Sequence, residues 1–207
     1  MLTDKSVRDF SQELSDKVPV PGGGGAAALA GALSAALGSM AANLTMGKKK
    51  FLPLEPDHRR IIGAMKALQC RFLELMDEDA AAFEPLSQAY SLDRSIPENA
   101  ENLRSATLNA SHVPLEMMQH CCELITLLEE LQGKCSVLLL SDVGCAALTA
   151  RCALEAASMN VFVNTCSLFG NAEAKQLEEK AVGLLKEYMP RAQAISDNVM
   201  DYLRRTK

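Results

Sequence analysis

Apolar positions along this chain recur every three to four residues and nowhere in sustained alternation, so the pattern predicts helices and no clear strand. Val7, Phe10 and Leu14 share one face of a short first helix, opened by Ser6 with an acid, Asp9, three residues later in capping-box spacing. Pro19-Val-Pro-Gly-Gly-Gly-Gly25 then interrupts the pattern. From about Gly25 to about Met46 the chain carries no charge and reads as a helix apolar on every side, the kind that sits at the centre of a protein. Its small residues, Ala27, Gly31, Ala35 and Ser39 with Gly38 and Ala42, recur near every fourth position. Such a stripe admits a second helix at close range, either within the chain or across a subunit boundary.

Further along, Leu52-Pro-Leu-Glu-Pro56 is a loop, and Asp57 is the candidate cap of a third helix. Ile61, Ile62, Met65, Leu68, Phe72 and Leu75 form its apolar face. Four residues on, the same face lands on Asp79, an acid on a stripe that ought to be buried. Pro85 should kink or end this helix. Pro97-Glu-Asn99 suits a helical first turn, Pro114 should bend or restart the helix near His112, and Gly133 should cap it. Ser141-Asp142 opens a helix ending near Gly170, and Asn171 to about Arg204 is an amphipathic outer helix with Pro190 as a possible bend. Val137-Leu-Leu-Leu140 fits either extended or helical backbone. The expectation is an all-α single domain, residues 1–207, bundled around the buried Ala/Gly-rich helix.

Composition adds exclusions. At 207 residues with 48% hydrophobic side chains, the chain can bury one substantial core. Net charge is -5 and aromatics are 4%, which removes the basic surface and the stacking platforms of a nucleic-acid binder. Seven cysteines, an odd number with no CxxC pair, point to reduced core thiols, and no apolar leader opens the chain, so a cytoplasmic protein is expected. The uncharged Gly22–Gly47 stretch is long enough to span a bilayer. Yet Ala and Gly dominate it, and Ser34, Ser39, Asn43 and Thr45 interrupt it, so no membrane span is expected.

No HExxH, GxSxG or GxxxxGK[ST] motif occurs, and no metal site is expected. What remains is the glycine turn (Gly22, Gly23, Gly24), Asn43, the triplet Lys48, Lys49 and Lys50, Asp79, and a polar stripe on the Ser141 helix. At about 100° per residue, Asp142, Thr149, Ala153, Asn160 and Asn164 fall on nearly the same side of that helix. Together these offer close backbone approach, cations for an anionic ligand, amides for a polar heterocycle, and carboxylates for proton transfer. Taken alone, the lysines equally suit a solvated helix end and the stripe equally suits interhelical hydrogen bonds.

Several of these segments resemble the cyclodeaminase/cyclohydrolase family of folate one-carbon metabolism. They are Pro19-x-Pro-Gly-Gly-Gly-Gly-Ala-Ala-Ala-Leu-Ala-Gly-Ala-Leu33, Met40-Ala-Ala-Asn-Leu-Thr-x-Gly-Lys-Lys-Lys-Phe51, Asp77-x-Asp79-Ala-Ala-Ala-Phe83, Pro114-Leu-Glu116, Ser141-Asp-Val-Gly-Cys-Ala-Ala-Leu-Thr-Ala150 and Asn160-Val-Phe-Val-Asn164. The resemblance implies a helical homodimer binding a tetrahydrofolate derivative near the dimer interface, with no cofactor beyond that substrate. Two reactions occur in the family: formimidoyltetrahydrofolate cyclodeaminase releases ammonia to form the 5,10-methenyl compound, and methenyltetrahydrofolate cyclohydrolase interconverts methenyl and 10-formyl forms. The first is preferred here, the second is the alternative, and a non-catalytic folate-binding or scaffold dimer is a third reading. With nothing before the domain, a free-standing version is implied.

Carried onto this chain, the resemblance makes Asp142 the first choice for the proton shuttle and Asp79 the second. Lys48, Lys49 and Lys50 would hold the glutamate tail of folate. Asn43, Asn160 and Asn164 would position the pterin or the one-carbon unit, and Gly22, Gly23 and Gly24 would form a close-approach wall. The family commonly has Ser at the position of Gly25 and a Gly-Asn-Pro-Asn-like turn before Ser141, where this chain has Cys135-Ser-Val-Leu-Leu-Leu140. That departure leaves open the backbone path into the Asp142 helix.

Overall fold

The computed structural model describes residues 1–205 as six α-helices joined by short connections, with no strand among the described residues. The helices are α1 (Val7–Ser15), α2 (Gly23–Thr45), α3 (Glu55–Tyr90), α4 (Pro97–Gln132), α5 (Leu140–Thr165) and α6 (Ala172–Arg205). The Ser6 cap forms as its sequence suggests, with Oγ accepting from the Asp9 amide at 3.1 Å. The Val137–Leu139 segment is a 3-10 turn that leads directly into α5.

Three prolines do not interrupt their helices. Pro85, Pro114 and Pro190 all lie inside continuous α-helix. Each removes one backbone hydrogen bond, yet α3 and α4 each run 36 residues, and tertiary packing outweighs the local loss. Asp57, expected as a cap, stands inside the first turn of α3 instead. There its carboxylate accepts from Lys134 Nζ at 2.6 Å, which ties the start of α3 to the residues after α4. His58, fully buried beside it, bonds the Lys134 carbonyl through Nε2 at 2.8 Å.

Helix α2 packs on both α3 and α5, while α4 packs on α3, α5 and α6. The small-residue stripe of α2 serves the chain's own core. Ala27, Gly31, Ala35, Gly38 and Ala42 are all buried. A Cβ at Gly31 would fall 2.6 Å from the Phe72 ring, and one at Gly38 would fall 2.6 Å from Met65 Sδ. Large side chains of α3 thus fill the notches that glycine leaves. Ser34 Oγ donates to the Ala146 carbonyl at 2.7 Å and pins α2 to α5 mid-length.

The outward face of the α2–α5 pair is also apolar. Leu33, Met40 and Leu44 on α2, and Leu148, Met159 and Val163 on α5, stand exposed. By length and composition alone, α2 and the Val137–Thr165 segment could each cross a membrane. Here both have buried inner faces within the bundle, as the sequence pattern of α2 suggests.

Candidate active site

The chain reaches α2 through Pro19, Val20 and a cis peptide bond to Pro21. Helix α2 begins at Gly23, two residues earlier than its sequence suggests, with Gly22 as N-cap. None of Gly22 to Gly25 has a positive φ, so these glycines are not there for a special backbone conformation. They are there for proximity. A Cβ on Gly24 would lie 2.3 and 2.4 Å from the two carboxylate oxygens of Asp79. A Cβ on Gly23 would lie 3.4 Å from Asn160 Oδ1.

Asp79 therefore rests against the first turn of α2. Gly22 offers no side chain to cap the helix, and the Gly25 amide N–H donates to the Asp79 carboxylate. An acid from α3 fills the cap, at the end of α2 where the helix dipole favours negative charge. Burial nonetheless dominates and pushes the Asp79 pKa up to about 6 from an ordinary 3.8, with the Gly25 hydrogen bond opposing. A carboxyl in that range exchanges a proton near neutral pH, which general acid–base catalysis requires.

Beside it opens a cavity of about 160 Å³ lined by Pro19, Val20, Gly22, Gly23, Gly24, Asp79, Phe83, Ala110, Asn160, Val163 and Asn164. Asn160 donates through Nδ2 to the Ala156 carbonyl at 2.9 Å, and Asn164 through Nδ2 to the Ala110 carbonyl at 3.2 Å. The structure thus brings together the glycine turn, Asp79, Asn160 and Asn164. Phe83, Val20 and Val163 are lining residues that sequence reasoning did not single out. Two were within reach of it, because Phe83 lies one turn beyond Asp79 on α3 and Val163 one turn beyond Asn160 on α5.

The other predicted residues lie elsewhere. Asp142 is in the first turn of α5, 18 positions before Asn160, or about 27 Å along the helix. Asn43 is exposed near the C-terminus of α2, about 30 Å from Gly23, with its Nδ2 on the Ser39 carbonyl at 2.8 Å. Lys48, Lys49 and Lys50 follow it and are exposed. The Thr45 hydroxyl accepts from the Ser136 amide at 3.0 Å, so the end of α2 and the approach to α5 meet at this far end of the bundle. Within one chain the candidate set is therefore divided between two ends.

A larger groove, about 720 Å³, runs between α3, α4 and α6 past Arg71, His120 and Glu123. It contains none of the predicted residues, and its charges neutralise one another. Arg71 bonds Glu78 at 2.9 Å and Glu116 at 2.9 Å, and His120 lies between Glu116 and Glu123. The predicted residues that the structure brings together line the smaller cavity. Among the described residues no group of three or more His, Cys, Asp or Glu side chains could hold a metal ion.

Residues 6–183 match the family model described as formiminotransferase-cyclodeaminase. The chain is 35% identical to a methenyltetrahydrofolate cyclohydrolase of Methylorubrum extorquens, over 90% of this chain and 92% of that protein. It is 30% identical to the formimidoyltransferase-cyclodeaminase of Mus musculus over 90% of this chain, which amounts to only 35% of the mouse protein. The crystal structure of a formiminotetrahydrofolate cyclodeaminase from Thermotoga maritima superposes with a TM-score of 0.85 at 25% identity, covering 97% of this chain and all of that one. The sequence, the helical fold and these likenesses agree, and the chain belongs to the formiminotransferase-cyclodeaminase family of folate one-carbon enzymes.

Proposed function

We propose that this protein acts at the 5,10-methenyl centre of tetrahydrofolate and that its reaction is the methenyltetrahydrofolate cyclohydrolase one, with Asp79 as the proton shuttle. The observation that carries the assignment is the Asp79 carboxyl, held by the Gly25 amide beside an open cavity with its pKa raised to about 6. Water attacks the cationic methenyl carbon, and the carboxylate takes the proton that the attacking water loses. The new hydroxyl then gives up its proton as the bond from that carbon to N5 breaks and N5 takes one up, so that 10-formyltetrahydrofolate and one net proton leave. The hydrolase reading is favoured over the cyclodeaminase preferred from sequence because the 35% identical relative is a cyclohydrolase matched over nearly its whole length.

Cyclodeamination is the second reading, favoured by the Thermotoga maritima likeness across the whole chain. There N10 attacks the formimidoyl carbon, and the same carboxyl passes the N10 proton towards the departing nitrogen. Asp79 is preferred to Asp142, first choice from sequence, because Asp79 lines the cavity with its pKa raised, whereas Asp142 stands at the opposite end of the bundle and reaches a cavity only through a second copy.

The divided set is rejoined if two copies pair through the exposed α2–α5 face. Along α2, Ala26, Ala30, Leu33, Leu37, Met40 and Leu44 recur at alternating spacings of four and three, the seam by which one helix packs on another. A two-fold axis across the middle of α2 sets the two α2 helices antiparallel. Each Asp79 cavity then meets the Asn43, Lys48–Lys50 and Asp142 end of its partner. Parallel pairing would instead place lysine triplet against lysine triplet. Exposed Glu155 on α5 and exposed Asn43 near the other end of α2 suit a protein partner better than lipid.

Absorbance of the methenyl chromophore tests the reaction. Its loss on adding enzyme supports the hydrolase, its ammonia-linked appearance from the formimidoyl substrate supports the deaminase, and no change in either refutes the proposal. Mixing Asp79→Asn with a Lys48/Lys49/Lys50→Ala variant, after dissociation and reassociation, tests the shared site. If each variant is inactive alone, random pairing restores about a quarter of wild-type activity when each site draws on both chains and nothing when it draws on one, and a lysine variant that is fully active alone takes the lysines out of the site.

A further inference from the structure

Helix α4 runs unbroken through Pro114, and the cost of that proline falls on a specific atom. With no N–H at position 114, the carbonyl of Ala110 one turn earlier has no donor within the helix. Ala110 lines the cavity, and both it and Pro114 are buried, so the freed carbonyl requires another donor. Asn164 supplies it from α5, with Nδ2 at 3.2 Å. An amide that commits one N–H of its NH2 group in this way keeps its oxygen and its second N–H for other partners.

Asn160 is held in the same sense. One Nδ2–H is committed to Ala156, and the amide lies against Gly23 at the cavity rim, with Oδ1 3.4 Å and Nδ2 3.5 Å from where a Gly23 Cβ would stand. Neither Oδ1 has a hydrogen-bond donor among the described residues. Asp79 when ionised adds two more acceptor oxygens. The side-chain polar groups of this wall are therefore two amides, each with an oxygen and a second N–H to offer, beside the Asp79 carboxylate, and Phe83, Val20 and Val163 provide apolar surface beside them. An anionic tail would meet the like charge of Asp79 here. A flat heterocycle with an N–H edge would meet partners.

We propose that Pro114 is a positioning residue for the candidate active-site cavity: by freeing the Ala110 carbonyl it orients the Asn164 amide, so that Asn164, Asn160 and Asp79 present a hydrogen-bonding wall for the amino-pyrimidine edge of the pterin. The assignment rests on the folate reading above and decides which end of the substrate this cavity takes. The pterin carries an exocyclic amine and ring N–H donors, whereas the p-aminobenzoylglutamate half ends in carboxylates.

The test uses the full chain and two fragments of the substrate as competitive inhibitors of turnover: a tetrahydropterin without the tail, and p-aminobenzoylglutamate. Pro114→Ala restores an N–H that can bond Ala110 within α4 and release Asn164. It also favours the helix, so the variant folds. The inhibition constant of the pterin fragment should rise ~10-fold in Pro114→Ala, the size of one lost hydrogen bond to an oriented acceptor. It should rise at least as much in Asn164→Leu, and p-aminobenzoylglutamate should change less than twofold in both. The proposal is overturned if Pro114→Ala weakens both fragments equally, if it changes neither, or if p-aminobenzoylglutamate alone responds to Asn164→Leu. A wild-type enzyme that turns over folate yet is not inhibited by the pterin fragment also overturns it and leaves the folate reading standing. Absence of any folate turnover removes both.

Discussion

Gly24→Ala is the sharpest perturbation of the site, because it adds one methyl group at a defined place. The new Cβ would fall 2.3 Å from Asp79 Oδ1, 2.4 Å from Oδ2 and 2.5 Å from Cγ. Ordinary carbon contacts sit at about 3.5–4.0 Å, so the carboxyl group must move by about 1 Å or more. Asp79 is short and enclosed and cannot retreat as a long side chain would. The stability terms partly cancel. Alanine gains up to ~1 kcal/mol over glycine inside a helix, and the displaced cap loses about as much. Catalysis has no such offset, since a 1 Å misplacement of a reacting group costs ~10²-fold and loss of a general base costs ~10²–10⁴-fold. Gly25→Ala is the internal control. Its Cβ would meet Pro21 at 3.6 Å and Met76 at 3.7 Å, which is ordinary contact, and the backbone N–H that serves Asp79 is retained. Chromophore assays should therefore find Gly24→Ala at least ~10²-fold slower with kcat carrying the loss, and Gly25→Ala close to wild type. Melting followed by circular dichroism should place both within about 2 kcal/mol of wild type. A folded Gly24→Ala enzyme within threefold of wild-type kcat would refute the placement of Asp79 as the shuttle.

The remaining predictions concern pH, packing and assembly. Wild-type kcat should rise as pH increases through about 6, when Asp79 ionises and becomes a base, and Asp79→Asn should lack that limb and lose ~10²-fold or more. Because burial raises the Asp79 pKa in the folded state, wild-type stability is greatest below 3.8 with respect to this group and falls as pH rises from there to about 6. The gap corresponds to at most ~3 kcal/mol. Asp79→Asn should thus be the more stable protein at pH 7 in urea titrations and the less active one, and a variant equally stable at every pH would contradict the burial argument. Gly31→Ala, whose Cβ falls 2.6 Å from the Phe72 ring, should cost ~1–3 kcal/mol. Gly38→Ala meets the flexible end of Met65 and should cost less, and the reverse order would count against the packing described. Leu33→Glu on the exposed seam of α2 should shift a dimer to monomer in sedimentation velocity and reduce turnover without unfolding the chain; an unchanged sedimentation coefficient would speak against pairing through this face.

The fold was legible because helical period survives every local exception. The faces read from Ile61 to Leu75 and from Leu115 to Leu128 are buried, as is the α2 stripe. The prolines were misleading for a physical reason. A single sequence shows the lost N–H at Pro85, Pro114 or Pro190, but not the tertiary contacts that hold a 36-residue helix together across it. The α2 stripe left two outcomes open. Small residues at fourth positions suit a helix of the same chain or one across a subunit boundary, and the notches at Gly31 and Gly38 are filled by Phe72 and Met65 of the same chain. The apolar line that stays exposed, and that the proposed pairing would use, is that of the larger side chains Leu33, Met40 and Leu44.

The candidate site was legible by half, and the dividing line is geometric. Helical periodicity fixes the angle of a side chain about its axis and says nothing about its height. Asp142 and Asn160 share an angle and stand about 27 Å apart, so reading them as one stripe placed two ends of a long helix in one site. Asp79 was identified by a different kind of reasoning. A carboxylate on an apolar face must find a compensating partner, and its angle on α3 directs it into the core. The partner is the side-chain-free first turn of α2, where Gly24 leaves room for both carboxylate oxygens. An apolar stripe that ends in an acid, together with a helix that begins in glycines, predicts that the two meet; a shared angle on one helix does not. By the same logic, Asn43, Lys48–Lys50 and Asp142 bear on the Asp79 chemistry only through a second copy. Complementation between Asp79→Asn and the lysine variant is therefore the measurement that decides whether those residues belong to the site at all.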